Sequence, residues 1–122
     1  HYPEIELGVS LPRLQPHAGG FVGAHPLTDQ ELVQSLIALR LFLPRAGIAI
    51  STRENKTLRQ NLIGLGVTRM SAGSRTQVGG YALSATKEGQ FEIADTSSVD
   101  EVKEMITQKG YQPVFKDWQA LY

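Results

Sequence analysis

Three short apolar segments alternate with segments that carry helix signals, and this alternation constrains the fold more than any other feature. The apolar segments are residues 4–10, 47–51 and 67–71. The first alternates apolar and polar residues, which is typical of a strand with one buried face. The second is almost continuously apolar, as in a strand that is buried on both faces of a parallel sheet. The third, with Val67 and Met70, predicts another short strand.

The helix signals lie between and after these strands. Sequences of the capping-box type at Thr28–Glu31 and Ser98–Glu101 predict the starts of two helices. We expect the first to end at Leu43, because the proline that follows lacks an amide hydrogen. We expect the other to end near Gly110, and a shorter helix is predicted over residues 56–63.

The order strand, helix, strand, helix, strand, followed by a helical tail, predicts an α/β fold with a parallel sheet and right-handed crossovers. The 122 residues suit one domain. Three parallel strands leave sheet edges uncovered, and a closed barrel typically needs about 250 residues. The sequence therefore predicts an incomplete TIM-type barrel or a minimal open sheet. Because the chain opens with His1 instead of Met, we expect it to be cut from a longer protein.

Composition limits the classes of partner. Twelve Lys and Arg residues balance twelve Asp and Glu residues, which argues against nucleic acid or an anionic membrane as the partner. No apolar run approaches the roughly 18 residues that a membrane span requires, so we expect a soluble, cytoplasmic protein. The chain has no cysteine, which excludes disulfides and a cysteine-held cluster within these residues.

Each predicted strand ends in serine, and arginine follows within four residues. The three pairs are Ser10 with Arg13, Ser51 with Arg53, and Ser71 with Arg75. The carboxyl ends of parallel strands share one side of the sheet, where ligands bind in α/β folds. Guanidinium groups match carboxylates and phosphates, so we predict an anion pocket surrounded by the three arginines. The alternative for each arginine is a surface side chain or a structural salt bridge.

Five motifs carry a resemblance to a known family. They are GVSLPRLQPHAGGF from Gly8, ISTRENKTLRQNL from Ile50, MSAGSRTQVGGY from Met70, EGQFEIAD from Glu88 and PVFKDW from Pro113. In this order they resemble the C-terminal part of the 2-iminoacetate synthases, the radical S-adenosylmethionine tyrosine lyases of thiamine biosynthesis. The KDW ending favours these enzymes over the related hydrogenase maturation lyases.

The resemblance implies that residues 1–122 supply strands six to eight and the C-terminal helical tail of a (βα) TIM-type radical barrel. The N-terminal half, with a 4Fe-4S cluster and most of the S-adenosylmethionine site, is absent from this chain. The implied reaction cleaves the Cα–Cβ bond of L-tyrosine to dehydroglycine (2-iminoacetate) and p-cresol for thiazole synthesis. The implied partners are L-tyrosine, thiazole synthase and the missing half of the barrel, so we expect this fragment to be inactive alone.

The resemblance also implies residue roles. Substrate binding is implied for Arg53, Ser71, Ser74 and Arg75, and cofactor binding for Leu11, Pro12 and Arg13. It assigns no catalytic residue and no metal ligand. Two other functions stay open from the residues alone: an autonomous module that binds anions or amino acids, and a non-catalytic domain that docks another subunit through its sheet edge.

Overall fold

The computed structural model describes residues 4–13, 25–74 and 93–115. Three strands and three helices occur in these ranges. In chain order they are β1 (Gly8–Ser10), α1 (Asp29–Phe42), β2 (Gly47–Ile50), α2 (Lys56–Leu62), β3 (Arg69–Met70) and α3 (Val99–Gln108). The predicted alternation of strands and helices is therefore confirmed.

The three strands form one parallel sheet in the order β1, β2, β3. In the register of the sheet, Gly8 lies opposite Gly47, and Ala49 lies opposite both Ser10 and Arg69. The strands are shorter than the predicted segments. Successive strands in sequence are neighbours in space, so their carboxyl ends and the loops that follow them lie at one edge of the sheet.

Both predicted capping boxes are formed. The Glu31 amide donates to the Thr28 hydroxyl at 3.2 Å, while the Thr28 amide donates to the Glu31 carboxylate at 2.8 Å. The hydrogen bond from the Thr28 amide holds the pKa of Glu31 below its usual value. Ser98 and Glu101 make the same reciprocal pair at the start of α3. Helix α1 ends one residue before Leu43, as the following proline predicts.

Helix α2 has an N-cap that the sequence analysis did not identify. The Leu58 amide donates to the Asn55 side-chain oxygen at 2.8 Å, which satisfies one of the free amides of the first turn. Helix α3 ends at Gln108, and Gly110 follows with a φ of +85°, a conformation that glycine adopts without strain. No helix among the described residues is long and apolar enough to span a membrane.

The core lies on one face of the sheet. It consists of Ile48 and Ile50 of β2 packed against leucines of α1 and α2, namely Leu32, Leu36, Leu58 and Leu62. Gly47 and Ala49 of β2 are only half-buried, so the expectation that this strand is buried on both faces is wrong for the described residues. Ile5 and Leu7, which lie just before β1, are 68% and 48% exposed, so the buried face predicted for residues 4–10 is not covered by the described residues.

Arg40 of α1 joins the helix to the amino-terminal end of the sheet. Its guanidinium donates to the carbonyls of Ala46 at 2.7 Å and Pro44 at 3.0 Å, and to that of Gly66 at 2.6 Å. These bonds satisfy carbonyls at the end of α1 and in the turn that leads to β3. Arg40 is thus a structural arginine, distant from the carboxyl ends of the strands.

The aromatic residues near the end of the sequence, Phe115, Trp118 and Tyr122, predict a tail that is packed against the domain. Phe115 is exposed, and the Lys103 ammonium lies 5.3 Å from the centre of its ring. For Phe115 the expectation is wrong, because this contact leaves most of the ring in solvent. Trp118 and Tyr122, together with the predicted tail beyond residue 115, lie outside the described residues.

Candidate functional site

The face of the sheet opposite the core carries small side chains. Because side chains alternate along a strand, Gly8 and Ser10 of β1 share this face with Gly47 and Ala49 of β2. All four are exposed or half-buried. This face therefore leaves room beside the strands, in contrast to the close packing of the core.

Arg69 of β3 occupies the amino-terminal end of this face. Its guanidinium lies across Gly8 and Gly47, 3.6 to 3.7 Å from where a Cβ atom would lie on either glycine. It forms an ion pair with Glu6. Arg69 therefore covers the amino-terminal end of this face, while Ser10 at the carboxyl end of β1 is exposed.

Arg13, which follows β1, lies in an ion-pair network that we call the Arg13 cluster: Arg13, Glu54 and Asp29. Nε of Arg13 donates to Oε1 of Glu54 at 2.9 Å, and Nη2 donates to the other carboxylate oxygen. Nη1 lies 2.8 Å from Oδ1 of Asp29 and donates to the Leu27 carbonyl at 2.9 Å. The hydrogen bond to Glu54 outweighs burial and raises the pKa of Arg13 above its usual value.

The Arg13 cluster connects three parts of the chain. Arg13 lies in the loop after β1, Glu54 in the loop after β2, and Asp29 in the first turn of α1. All three guanidinium nitrogens donate within the cluster or to Leu27. Of the alternatives weighed for this arginine, the structure supports the structural salt bridge.

Arg53 lies between two buried residues, Thr52 and Glu54, which are 5% and 2% exposed. The Arg53 amide donates to the Ser51 hydroxyl at 3.3 Å. Its side chain is half-buried at the carboxyl end of β2, as the sequence predicts. The buried neighbours fix the backbone from which the Arg53 guanidinium extends.

A second buried arginine was not identified from the sequence. We define the Arg59 cluster as Arg59, Asp95 and Ser97. Arg59 of α2 is 0% exposed; its Nη1 forms an ion pair with Oδ2 of Asp95, and its Nη2 donates to the Ser71 carbonyl. The Ser97 amide donates to Oδ1 of Asp95 at 2.9 Å. Among the described residues, Nε of Arg59 has no hydrogen-bond partner.

Asp95 remains ionised in this buried position. Burial by itself raises the pKa of Asp95, but hydrogen bonds from Ser97 and the positive charge of Arg59 lower it by more. The result is a pKa below the usual value of an aspartate. Arg59 and Asp95 are therefore a buried charge pair in which each partner compensates the other.

Residues 94–97 join the loops that follow β2 and β3. The amides of Ala94 and Asp95 both donate to the Thr52 carbonyl, at 2.9 and 3.0 Å. The Gly73 amide donates to the Ser97 carbonyl at 3.0 Å, and Gly73 has a φ of +61°. The sequence around residues 91–95 predicts a short extended piece; its described part, residues 93–95, is a connecting segment outside the sheet.

The structure places the predicted site residues as follows. Arg53, Ser71 and Ser74 lie in the loops after adjacent strands, and residues 94–97 connect these loops. Arg75 lies outside the described residues. Among the described residues no group of acidic or histidine side chains could hold a metal ion. One signal pointed to Arg59: it stands beside Leu58 and three residues before Leu62, on the apolar side of the predicted helix.

The comparisons with known proteins agree with this architecture. The family described as the Biotin and Thiamin Synthesis associated domain matches residues 10–112. The chain belongs to this family. The matched range of the Biotin and Thiamin Synthesis associated domain contains all three strands except the first residues of β1, and all three helices.

Over nearly its whole length, this Biotin and Thiamin Synthesis associated domain is similar to two relatives of known sequence. It is 38% identical over 120 residues to the 2-iminoacetate synthases of Escherichia coli K12 and of Salmonella typhimurium LT2. The aligned residues cover 98% of this chain and 32% of each relative, so the chain spans about a third of their length. The resemblance predicted from the motifs is confirmed.

Solved structures show the same fold. The domain superposes on the FeFe-hydrogenase maturase HydG from Carboxydothermus hydrogenoformans with a TM-score of 0.76 at 38% identity, covering 91% of this chain and 25% of that one. A second HydG structure gives a TM-score of 0.76 at 30% identity, over 88% of this chain and 24% of that one. The predicted α/β fold with a parallel sheet is therefore confirmed as a part of this larger architecture.

Proposed function

We propose that the protein to which these residues belong is a radical S-adenosylmethionine lyase. It cleaves the Cα–Cβ bond of L-tyrosine to 2-iminoacetate (dehydroglycine) and p-cresol, and the 2-iminoacetate enters thiazole and thiamine biosynthesis. The observation that carries this proposal is the 38% identity to 2-iminoacetate synthases over 98% of the chain. The open, small-residue face of the sheet supports it, because a substrate needs space at the carboxyl ends of the strands.

In this proposal residues 1–122 form the C-terminal part of a TIM-type barrel. β1, β2 and β3 are its strands six to eight, and the rest of the protein supplies the N-terminal half. The exposed Ile5 and Leu7, which directly precede the edge strand β1, support this arrangement, since exposed apolar side chains are stabilised when a further element covers them. We expect the isolated chain to have no lyase activity.

Arg53, Ser71, Ser74 and Arg75 are proposed to hold the amino acid substrate. A guanidinium group binds a carboxylate through two parallel hydrogen bonds, and serine hydroxyls add shorter-range donors. Arg53 and Ser71 follow neighbouring strands, which supports their acting on one carboxylate. These residues bind and orient tyrosine; no catalytic acid or base is assigned to this chain.

The segment Leu11, Pro12 and Arg13 is proposed to lie beside S-adenosylmethionine. Leu11 packs against the core, and the guanidinium of Arg13 is bound to Glu54 and Asp29. The segment is therefore proposed to form one rigid side of the cofactor site, and the ion pairs of Arg13 fix its conformation. When bound, S-adenosylmethionine and a 4Fe-4S cluster supply the radical that starts the cleavage. Because the chain has no cysteine, the cluster ligands are assigned to the rest of the protein.

The proposed partner after catalysis is a thiazole synthase that accepts 2-iminoacetate in the cytoplasm. An imine of this kind is hydrolysed by water, so direct transfer between enzymes protects it. The lyase activity is the part of the proposal that can be measured first, with purified components.

The test uses the full-length protein, reconstituted with its cluster and supplied with L-tyrosine. Arg53→Ala is expected to weaken tyrosine binding by roughly 1.5–3 kcal/mol, the value of a lost charge-assisted hydrogen bond. Cleavage of S-adenosylmethionine without tyrosine should be unchanged. Arg45→Ala, at an exposed arginine beyond α1, is the matched control.

Two outcomes would contradict the proposal. If Arg53→Ala reduced tyrosine turnover and tyrosine-independent cleavage equally, the substrate role of Arg53 would be wrong. If the wild-type protein bound tyrosine without forming p-cresol, a binding module would replace the lyase as the proposed function.

A further inference from the structure

We propose that Arg59, through Asp95, is a positioning residue that sets the spacing between the two loops that hold the substrate. This inference rests on the proposed function for the identity of the substrate. The loops are those after β2 and β3, which carry Arg53 and Ser71. Arg59 itself is fully buried, so in this proposal it acts through the two loops and not on the substrate directly.

The first connection runs from α2 to the end of β3. Nη2 of Arg59 donates to the main-chain carbonyl of Ser71, the residue that directly follows β3. A carbonyl that accepts a hydrogen bond from a buried guanidinium is held in one orientation, because the guanidinium is planar and its donors point in fixed directions. This hydrogen bond therefore fixes the main chain at Ser71, from which the Ser71 hydroxyl extends.

The second connection runs through Asp95. Its carboxylate binds Nη1 of Arg59, and its own amide donates to the Thr52 carbonyl at 3.0 Å. Two residues later, the Ser97 carbonyl accepts the Gly73 amide at 3.0 Å. The ion pair thus holds a short segment that binds the loop after β2 on one side and the loop after β3 on the other.

The main-chain atoms that are hydrogen-bonded to the Arg59 cluster lie next to the proposed substrate residues. Thr52 directly precedes Arg53, and Gly73 directly precedes Ser74, while Ser71 is bonded itself. Every described residue proposed to bind tyrosine therefore lies within one residue of an atom held by the Arg59 cluster. Loss of the ion pair would change the distance between Arg53 and Ser71, and a carboxylate bound between them would be held less well.

Buried charge pairs add little stability on average, since desolvation offsets most of their attraction. Arg40 shows that this domain also uses a half-buried arginine for structure alone. Its partners are main-chain carbonyls at the opposite end of the sheet, and none belongs to a proposed substrate loop. Arg40 is therefore the matched control for Arg59.

The experiment compares Arg59→Lys and Arg40→Lys in the full-length protein. Each substitution keeps the positive charge and removes the planar fork of donors. We expect Arg59→Lys to raise the KM for tyrosine about tenfold, with a smaller change in kcat and no change in tyrosine-independent cleavage of S-adenosylmethionine. Arg40→Lys should lower the melting temperature and leave the KM unchanged.

A second readout does not depend on activity. Hydrogen exchange of the wild-type and variant proteins should show faster exchange of the amides of Gly73, Ala94 and Asp95 in Arg59→Lys and unchanged exchange there in Arg40→Lys. If wild-type protein formed no p-cresol, the proposed function would fail, while this measurement would still test whether Arg59 fixes the two loops.

The proposal is overturned if Arg59→Lys and Arg40→Lys lower stability alike and neither changes the KM for tyrosine. If Arg59→Lys does not fold, the double variant Arg59→Met with Asp95→Leu replaces it, because paired apolar residues of similar size are tolerated in place of a buried ion pair. A raised KM in that folded double variant supports the proposal, and a wild-type KM overturns it.

Discussion

The Arg13 cluster and the Arg59 cluster join an arginine to a nearly buried carboxylate in the same part of the molecule, yet solvent reaches them differently. Arg13 is 9% exposed, and its third partner, Asp29, is 62% exposed. Arg59 is 0% exposed and Asp95 is 2% exposed. If Glu54 is lost, Arg13 keeps a solvent-exposed carboxylate as its partner, whereas in the second cluster loss of either partner leaves an unpaired charge buried.

The two clusters use the same interaction, an arginine–carboxylate ion pair, in two different roles. The Arg13 cluster joins three elements around the loop after β1 and has redundant partners. The Arg59 cluster has a single carboxylate and joins the backbone of two proposed substrate loops. We therefore expect substitutions in the Arg59 cluster to have the larger effects, and the following measurements test that order.

The largest expected effect is that of Arg59→Met. Removal of the guanidinium leaves the Asp95 carboxylate buried and uncompensated, and this should lower the free energy of unfolding of the full-length protein by about 3–5 kcal/mol. Chemical denaturation followed by circular dichroism measures this loss. Adding Asp95→Leu should restore most of it; a double variant as unstable as the single one would show that the charge pair is not the cause.

Asp95→Asn should have a smaller effect, about 2–3 kcal/mol near neutral pH, because the amide keeps an acceptor oxygen but loses the charge. The folded pKa of Asp95 lies below its unfolded value. Its ionised form therefore stabilises the fold above the unfolded pKa of about 3.9, and this contribution disappears as the pH falls through the folded pKa. The difference between wild type and Asp95→Asn should shrink in denaturation measured below about pH 4.

Glu54→Gln should destabilise less than either change in the Arg59 cluster, by about 1–2 kcal/mol. Arg13 keeps its bond to the Leu27 carbonyl and its ion pair with Asp29, a carboxylate that is open to solvent. Glu104→Gln on the exposed side of α3 is the control and should be neutral. If Glu54→Gln destabilised as much as Arg59→Met, burial would not be what distinguishes the two clusters.

The smallest effect is expected at a helix end outside both clusters. Thr28→Ala removes the side-chain oxygen that accepts the Glu31 amide, and loss of such a cap typically costs about 1 kcal/mol. Thr107→Ala, which removes a hydroxyl bonded to the Lys103 carbonyl within α3, should be neutral. Thermal unfolding of both variants compares them; equal shifts would contradict a specific role for the capping box.

Much of the fold follows from local sequence. The capping boxes at Thr28 and Ser98 and the end of α1 before proline are predictable, because each depends on residues close together in the chain. The parallel order of the strands is predictable for another reason, since strand–helix–strand connections place successive strands side by side. The family resemblance is also carried by continuous motifs. The burial of the first strand was not predictable, since Ile5 and Leu7 alternate correctly but the described elements do not cover them.

The candidate site was likewise predicted from the sequence only in part. Sequence placed Arg53 and Ser71 after neighbouring strands, because parallel strands bring their carboxyl ends to one edge. It did not indicate that Arg13 would bind Glu54, 41 residues away, or that Arg59 would bind Asp95, 36 residues away.

The amino-acid sequence alone determined the succession of strands and helices, their caps and the family likeness, since these arise from short-range periodicity, turn chemistry and contiguous motifs. Only the tertiary structure decided that Arg13 and Arg59 form internal ion pairs and which carboxylates they bind. The reason is physical: an ion pair depends on distance and burial in three dimensions, and a guanidinium group is chemically the same in either setting until the packing of the chain selects its partners.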